Sequence, residues 1–197
     1  MRISISHDFP AVQRQLERLS RDVADTVRAR ALNRTVEIAR TRMVARIRDE
    51  FMVTAKFVRD RLVIRKAFAR GALRMEATLA ASSERRRAAN VIAFGAKQRA
   101  TGVSVRIKRA GGRRTIVGAF IANKGRTVFR RVPGTTMPSR AKYKGTKHAH
   151  QIAPVMTIEV SQMFNTRRIN ASVLATIRER FPEVFARELR FALSQRR

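Results

Sequence analysis

The chain has no cysteine, no tryptophan and a single tyrosine, and only 14 of its 197 residues are acidic. Without cysteine there is no disulfide framework, no thiolate metal site and no Cys nucleophile. So few acids leave most of the 44 Lys and Arg without a counter-charge, and the formal net charge is +30. No apolar run approaches the roughly 20 residues that a membrane-spanning helix needs, so no membrane partner is expected. The opening Met1-Arg2-Ile3-Ser4-Ile5-Ser6 alternates and lacks the apolar core of a secretory signal. Hydrophobic residues do make up 44% of the chain. That excludes a disordered basic tail, which lacks the apolar material to offset its chain entropy. The sequence describes a folded, very basic protein whose partner is polyanionic or acidic.

Glycine and proline are absent from Ala11 to Arg70, and all nine glycines lie between Gly71 and Gly145. A stretch of 60 residues without a breaker favours helix, since interior Gly and Pro cost about 1 and 3 kcal/mol. Val12, Leu16, Leu19, Val23, Val27 and Ala31 keep i, i+3/i+4 spacing, and Ile38 or Ala39, Met43, Ile47 and Phe51 continue it. Asp8 and Pro10 suit a helix start, and Thr54 suits the N-cap of a short helix to about Leu62. The period then changes to two. Leu73–Leu79, Val103–Ile107, Thr115–Ala122 and Val128–Val132 read as strands. Gly111-Gly112 and Asn123-Lys124-Gly125 supply turns, and Val63–Phe68 and Val91–Phe94 are weaker strand candidates. Pro133–Lys147 reads as an exposed loop of a length that is usually functional or disordered. Helix returns over Ala153–Phe164 and from Ala171, with Leu174, Ile177, Phe181, Val184 or Phe185, Leu189 and Leu193 on one stripe and a kink or a two-part helix expected at Pro182. The expectation is one α+β domain over 1–197: a helical region 8–62, an antiparallel sheet 63–132, a basic loop 133–152 and C-terminal helices 153–197.

Charge is unevenly placed. The 74 residues from Arg85 to Ile158 contain no acid and hold 18 Lys and Arg, whereas the N-terminal helical region mixes both signs. Such a mixture is the pattern of a solvated helix laced with ion pairs. The acid-free stretch is a one-signed field needing compensation, by nucleic-acid phosphate or by an acidic protein surface. The surface expected to meet it comprises Arg85, Arg86, Arg87, Arg106, Lys108, Arg109, Arg113, Arg114, Arg140, Lys142, Lys144 and Lys147. Its aromatics are few: Phe94, Phe120 and Phe129, which fit core strand positions, and Tyr143. Single-strand readers need stacking platforms, and no RNA-recognition, zinc-knuckle or helix-turn-helix pattern is present. Sequence-specific reading is therefore not expected; non-specific phosphate contact stays open.

Catalytic patterns are also missing. His148-Ala149-His150 would put two rings on one side of a strand, but no acid or cysteine stands near enough in sequence to complete a metal site. Asp49 and Glu50 are adjacent on a helix and point apart. Gly111-Gly112 sits between strands and opens no helix, as a phosphate-binding loop must. The expectation is a non-enzyme with no catalytic, metal-binding or cofactor-binding residues and no cofactor.

Gly118-Ala119-Phe120-Ile121-Ala122, a turn, then Val128-Phe129-Arg130-Arg131 resembles the core motif of the tailed-phage minor tail protein Z family, found in prophages and lambda-type siphophages. The resemblance extends to an Ala-, Arg- and Asn-rich helix at Arg28–Ile47, a short helix feeding a basic strand at Ala55–Lys66, the segment Gln151-Ile152-Ala153-Pro154-Val155-Met156, and a basic amphipathic end at Leu174–Arg197. Two departures stand out: Ala153-Pro154 where many members have Gly-Pro, and a longer, more basic Pro133–Lys147. The resemblance implies helices packed on a small antiparallel sheet and a structural part of the virion tail, with no catalytic residues. It implies action late in tail maturation and head–tail joining, as a homo-oligomeric ring, six-fold like the tail, at the neck. Its neighbours would be the tail terminator, the tube, the head–tail connector and the end of the packaged DNA, with the host cytoplasm as the place of assembly. From the residues alone, the other reading is a non-specific nucleic-acid-binding protein of ribosome-associated or nucleoid type.

Overall fold

The breaker-free N-terminal segment is helical, as its composition dictates. In the computed structural model, which describes residues 2–5, 21–68, 75–81, 89–135 and 150–195, helix α1 runs unbroken over Arg21–Glu50. The expected start at Asp8 and Pro10 lies outside the described residues. Ion pairs at i, i+3, Arg28–Asp25 at 3.2 Å and Arg40–Glu37 at 3.7 Å, lace its surface. Val27, Ala31, Ala39, Met43 and Ile47 are buried along one stripe, with Ala39 taking the place that Ile38 might have filled. Thr54 accepts a hydrogen bond from the Phe57 amide at 3.2 Å and caps α2, Ala55–Arg59.

The chain divides into two compact units. The first comprises residues 1–47, 58–86 and 160–197. Its sheet joins β1 (Arg2–Ile5), β2 (Leu62–Arg65) and β3 (Ala77–Ala81) in the antiparallel order β1-β3-β2. The opening alternation is thus a strand whose Ile3 and Ile5 are buried. Helices α3 (Val160–Phe164) and α4 (Arg167–Ser194) complete the unit. Arg30 stacks on Phe191 at 5.7 Å, Arg34 pairs with Glu188 at 2.7 Å, and the Arg46 Nε donates to Ser172 Oγ at 2.8 Å. As one number rises the other falls, so α1 and α4 run antiparallel. The face α4 buries is Ile169, Val173, Ile177, Phe181, Val184, Phe185 and Glu188; Leu174 and Leu193 of the expected stripe are exposed. Pro182 does not divide the helix, which continues to Ser194.

The second unit comprises residues 48–57 and 87–159. A two-stranded pair joins β4 (Ala89–Asn90) to β11 (Met156–Thr157). A three-stranded antiparallel sheet has the order β5-β6-β7, from Lys97–Arg99, Gly102–Val105 and Arg114–Val117. Another has the order β10-β9-β8, from Ile152–Pro154, Thr127–Arg131 and Ala119–Ala122. The fold is α+β, but the expected meander is broken into several small sheets. Gly118, at φ 71°, is the corner where the strand expected over Thr115–Ala122 leaves one sheet and enters the next. Asn123, Lys124 and Gly125, all at positive φ, form the turn into β9.

Two expectations change here. Val91–Phe94 is a 3-10 turn, because Asn90 caps it by accepting from the Ile92 amide at 3.1 Å and Gly95 ends it in the left-handed region. Ile152–Thr157 is extended, and helix begins only at Val160. Val132 donates to the Gln151 carbonyl and Val155 to the Val128 carbonyl, each at 2.9 Å. Odd-numbered positions therefore bond to β9, and Pro154, which has no N–H, falls at an outward one.

Candidate interaction surface

The second unit holds 18 of the 44 Lys and Arg but only three of the 14 acids, namely Asp49, Glu50 and Glu159. Each of those three already has a partner. The first unit carries the same net charge with 11 acids to moderate it. A one-signed field thus belongs to the second unit, and the positions of its cations decide what it can meet.

Of the twelve basic residues singled out from the sequence, Arg85, Arg86, Arg87, Arg140, Lys142, Lys144 and Lys147 lie outside the described residues. The other five fall into two groups. Arg106, Arg109 and Arg113 carry internal bonds. The Arg109 amide donates to the Glu50 carbonyl at 2.8 Å and its Nε to the Arg48 carbonyl at 2.5 Å, so the guanidinium sits at the C-terminal end of α1, where a cation offsets the helix dipole. Arg106 donates to the carbonyl of Arg109. The Met52 amide donates to the Ile107 carbonyl at 2.9 Å, and Phe51 bridges to Lys108. Arg113 makes long contacts with the Ser104 and Gly95 carbonyls, both at 3.4 Å. Lys108 and Arg114 are exposed.

The β5-β6-β7 sheet adds two cations to this set. Its register sets Lys97 beside Ser104 and Thr115, and Arg99 beside Gly102 and Val117. Residues directly opposite share a face, so these six form one side of the sheet. Lys97, Arg99, Thr115 and Val117 are exposed, while Ser104 and Gly102 between them are buried. The other side carries Gln98, Val103, Val105 and Ile116, with both valines buried. The Gln98 Oε1 accepts from the Ile121 amide of β8 at 2.9 Å, tying the two three-stranded sheets together. Lys97 and Arg99 could have been found from their place in the acid-free stretch; their alternation with Gln98 was the signal.

The Gly118–Ala122 and Phe129–Arg131 motif is a two-sided hairpin. Ala119 and Val128 are buried. Phe120 and Phe129, expected in the core, are half-buried on the opposite side, stacked at 6.2 Å with the Arg131 guanidinium 5.1 Å from the Phe120 ring. The short Ala119 and Val128 occupy the interior positions, and a one-residue step turns the large rings outward. Arg130 is exposed.

The expected basic loop falls mostly outside the described residues; on either side of it the Gln151 amide donates to Thr135 Oγ1 at 3.1 Å, and His150 Nδ1 lies 3.1 Å from the Thr135 carbonyl. His148 lies outside the described residues. Among those described, no cluster of three or more His, Cys, Asp or Glu could hold a metal ion, and no helix is long and apolar enough to cross a membrane. Among the described residues, the arrangement offers exposed cations, an unpaired strand edge and a half-buried aromatic pair.

A family model described as prophage minor tail protein Z matches residues 10–196. No curated protein and no solved structure gives a significant match.

Proposed function

The chain belongs to the prophage minor tail protein Z family, a structural component of the phage tail in the virion, and from that premise we propose that it completes the head-proximal end of the tail. There it assembles as a homo-oligomeric ring, six-fold to match the tail, and is needed for tail maturation and head–tail joining. Assembly takes place in the host cytoplasm. The cationic surface of the second unit meets an acidic neighbour among the tail terminator, tube and connector proteins, with the end of the packaged DNA as its other polyanion. The observation that carries this reading is the imbalance of 18 Lys and Arg against three engaged acids in that unit. Lone cations at this density repel one another over the roughly 10 Å reach of charge in 0.1 M salt, and a negative partner relieves that repulsion.

The deciding experiment is imaging of particles assembled without this chain. Tails that fail to mature or to join heads support the reading; particles that join and infect normally overturn it. Direct DNA contact is a separate arm: binding of purified protein to duplex DNA should lose about one log unit of affinity per log unit of salt for each phosphate neutralised. A flat salt profile, with binding to tail components retained, places the contact on protein alone.

A further inference from the structure

The β7 strand has one side of its backbone unspent. The Gly118 amide donates to the Thr101 carbonyl at 3.0 Å. In the antiparallel register that pairs Val117 with Gly102, this makes 114, 116 and 118 the positions bonded to β6. The N–H and C=O of Thr115 and Val117 therefore point away from the sheet, and β7 is its edge. Among the described residues nothing accepts or donates there. The contrast with β8 is direct, because the outward amide of Ile121 is taken by Gln98. Val117 is also 69% exposed, a large apolar side chain standing at an open edge. Natural sheets commonly blunt such edges; among the described residues this one is left open, with Arg113 and Arg114 at the start of its strand and no acid between Glu84 and Glu159.

We propose that the β7 edge receives an extended acidic segment of a partner protein as an added strand, pairing with the backbone of Thr115 and Val117. The proposal rests on the reading of the chain as a tail-assembly component and names the chemistry of one of its partners. Three properties select that occupant. An added strand satisfies the outward carbonyls and amides together. A phosphate backbone would be repelled by the carbonyls and would find Val117, not a ring to stack on. A second copy pairing β7 to β7 would set Arg113 and Arg114 against their own counterparts. An acidic strand presents carboxylates to Arg113 and Arg114 and an apolar side chain to Val117.

The test uses the full chain and a synthetic peptide alternating Glu with Val and Thr, with duplex DNA of matched charge in parallel. Amide hydrogen exchange should slow by about tenfold or more at Thr115 and Val117 on saturation with peptide, and Ile116, already bonded to Val103, should not change. Thr115→Pro removes an amide the sheet does not use, so the melting midpoint should hold while peptide affinity falls about tenfold. If that variant unfolds, the same measurement on the unaltered protein with an N-methylated peptide replaces it, and binding should be lost. Peptide binding without protection of those two amides overturns the proposal. So does protection that grows with protein concentration alone, which would mark a second copy, or binding of DNA but not peptide. Particles that need this chain for joining, yet show no strand addition at β7, would retain the proposed function and lose this inference.

Discussion

The side-chain amide of Asn33 closes on the backbone of Ala67 from both directions: Oδ1 accepts from the Ala67 N–H at 2.7 Å, and Nδ2 donates to the Ala67 carbonyl at 3.0 Å. A helical asparagine thus does for one residue what a neighbouring strand would do, 34 positions along the chain. It holds the exit of β2 against α1 in the first unit.

Asn33→Ala leaves both backbone groups of a buried residue unpaired, and should destabilise the first unit by about 2 kcal/mol. Asn33→Asp should cost at least as much, since it loses the donor and sets a carboxylate against a carbonyl. Urea titration followed by far-ultraviolet circular dichroism reads both. A loss below about 0.5 kcal/mol for Asn33→Ala would show that water replaces the clasp.

Gly102→Ala should be among the most damaging single changes in the second unit. A Cβ there would stand 2.1 Å from the Ile116 carbonyl oxygen, which belongs to backbone and cannot swing aside. The cost should reach about 3 kcal/mol, seen as a lowered melting temperature. Gly112→Ala, with nothing within 4 Å of the added carbon, is the control and should change little.

The Arg34–Glu188 pair should behave asymmetrically. The Glu188 side chain is 4% exposed and that of Arg34 58%. Arg34→Ala strands a buried carboxylate that keeps, among the described residues, Arg187 at 3.9 Å, and should cost about 2 kcal/mol after allowing for solvent on the arginine side. Glu188→Leu removes the charge with its need for a partner and should be close to neutral. Equal losses for the two variants would contradict this account.

Phe120→Ala should cost about 1–2 kcal/mol, below the roughly 3–5 kcal/mol of a fully buried ring. What is lost is a half-buried stack with Phe129 and the Arg131 contact. Val128, fully buried, is the more sensitive position of that hairpin. Thermal melts of the two alanine variants should rank them in that order.

Replacing Lys97, Arg99, Lys108 and Arg114 with Ser should leave the melting temperature nearly unchanged, because exposed charges contribute little to stability. The same is expected of Arg140, Lys142, Lys144 and Lys147. Either set should weaken attachment to tail components. A large loss of thermal stability from the second set would show the loop to be a packed element.

What could be read from the sequence follows the length of each element. Thirty residues of helical spacing average out local noise, so α1 and its buried stripe were legible, as were Thr54 as a cap and Asn123-Lys124-Gly125 as a turn. Strands of two to five residues carry too few alternations to fix a period. Ala153 and Pro154 therefore looked like the start of a helix, when the deciding bonds come from Val128 and Val132 elsewhere in the chain, and Val91–Phe94 looked like a strand, when one side-chain bond from Asn90 decides it. Charge density pointed to the right stretch of chain but not to side chains. Arg109 looked the same as Arg114 in sequence, yet one is bonded to the end of α1 and the other stands at the start of β7. Asn33 gave no signal, because its partner is a backbone.

The stem at Thr135 and His150 has a further consequence for how such a protein diversifies. Because the ends that follow β9 and precede β10 are fastened to each other there, the number of residues between them can change without shifting the register of the two strands. Doubling such a segment adds only about 0.6 kcal/mol of closure entropy. Adaptation to a new neighbour can then proceed by rewriting one insert, while the sheet beneath it stays as it is.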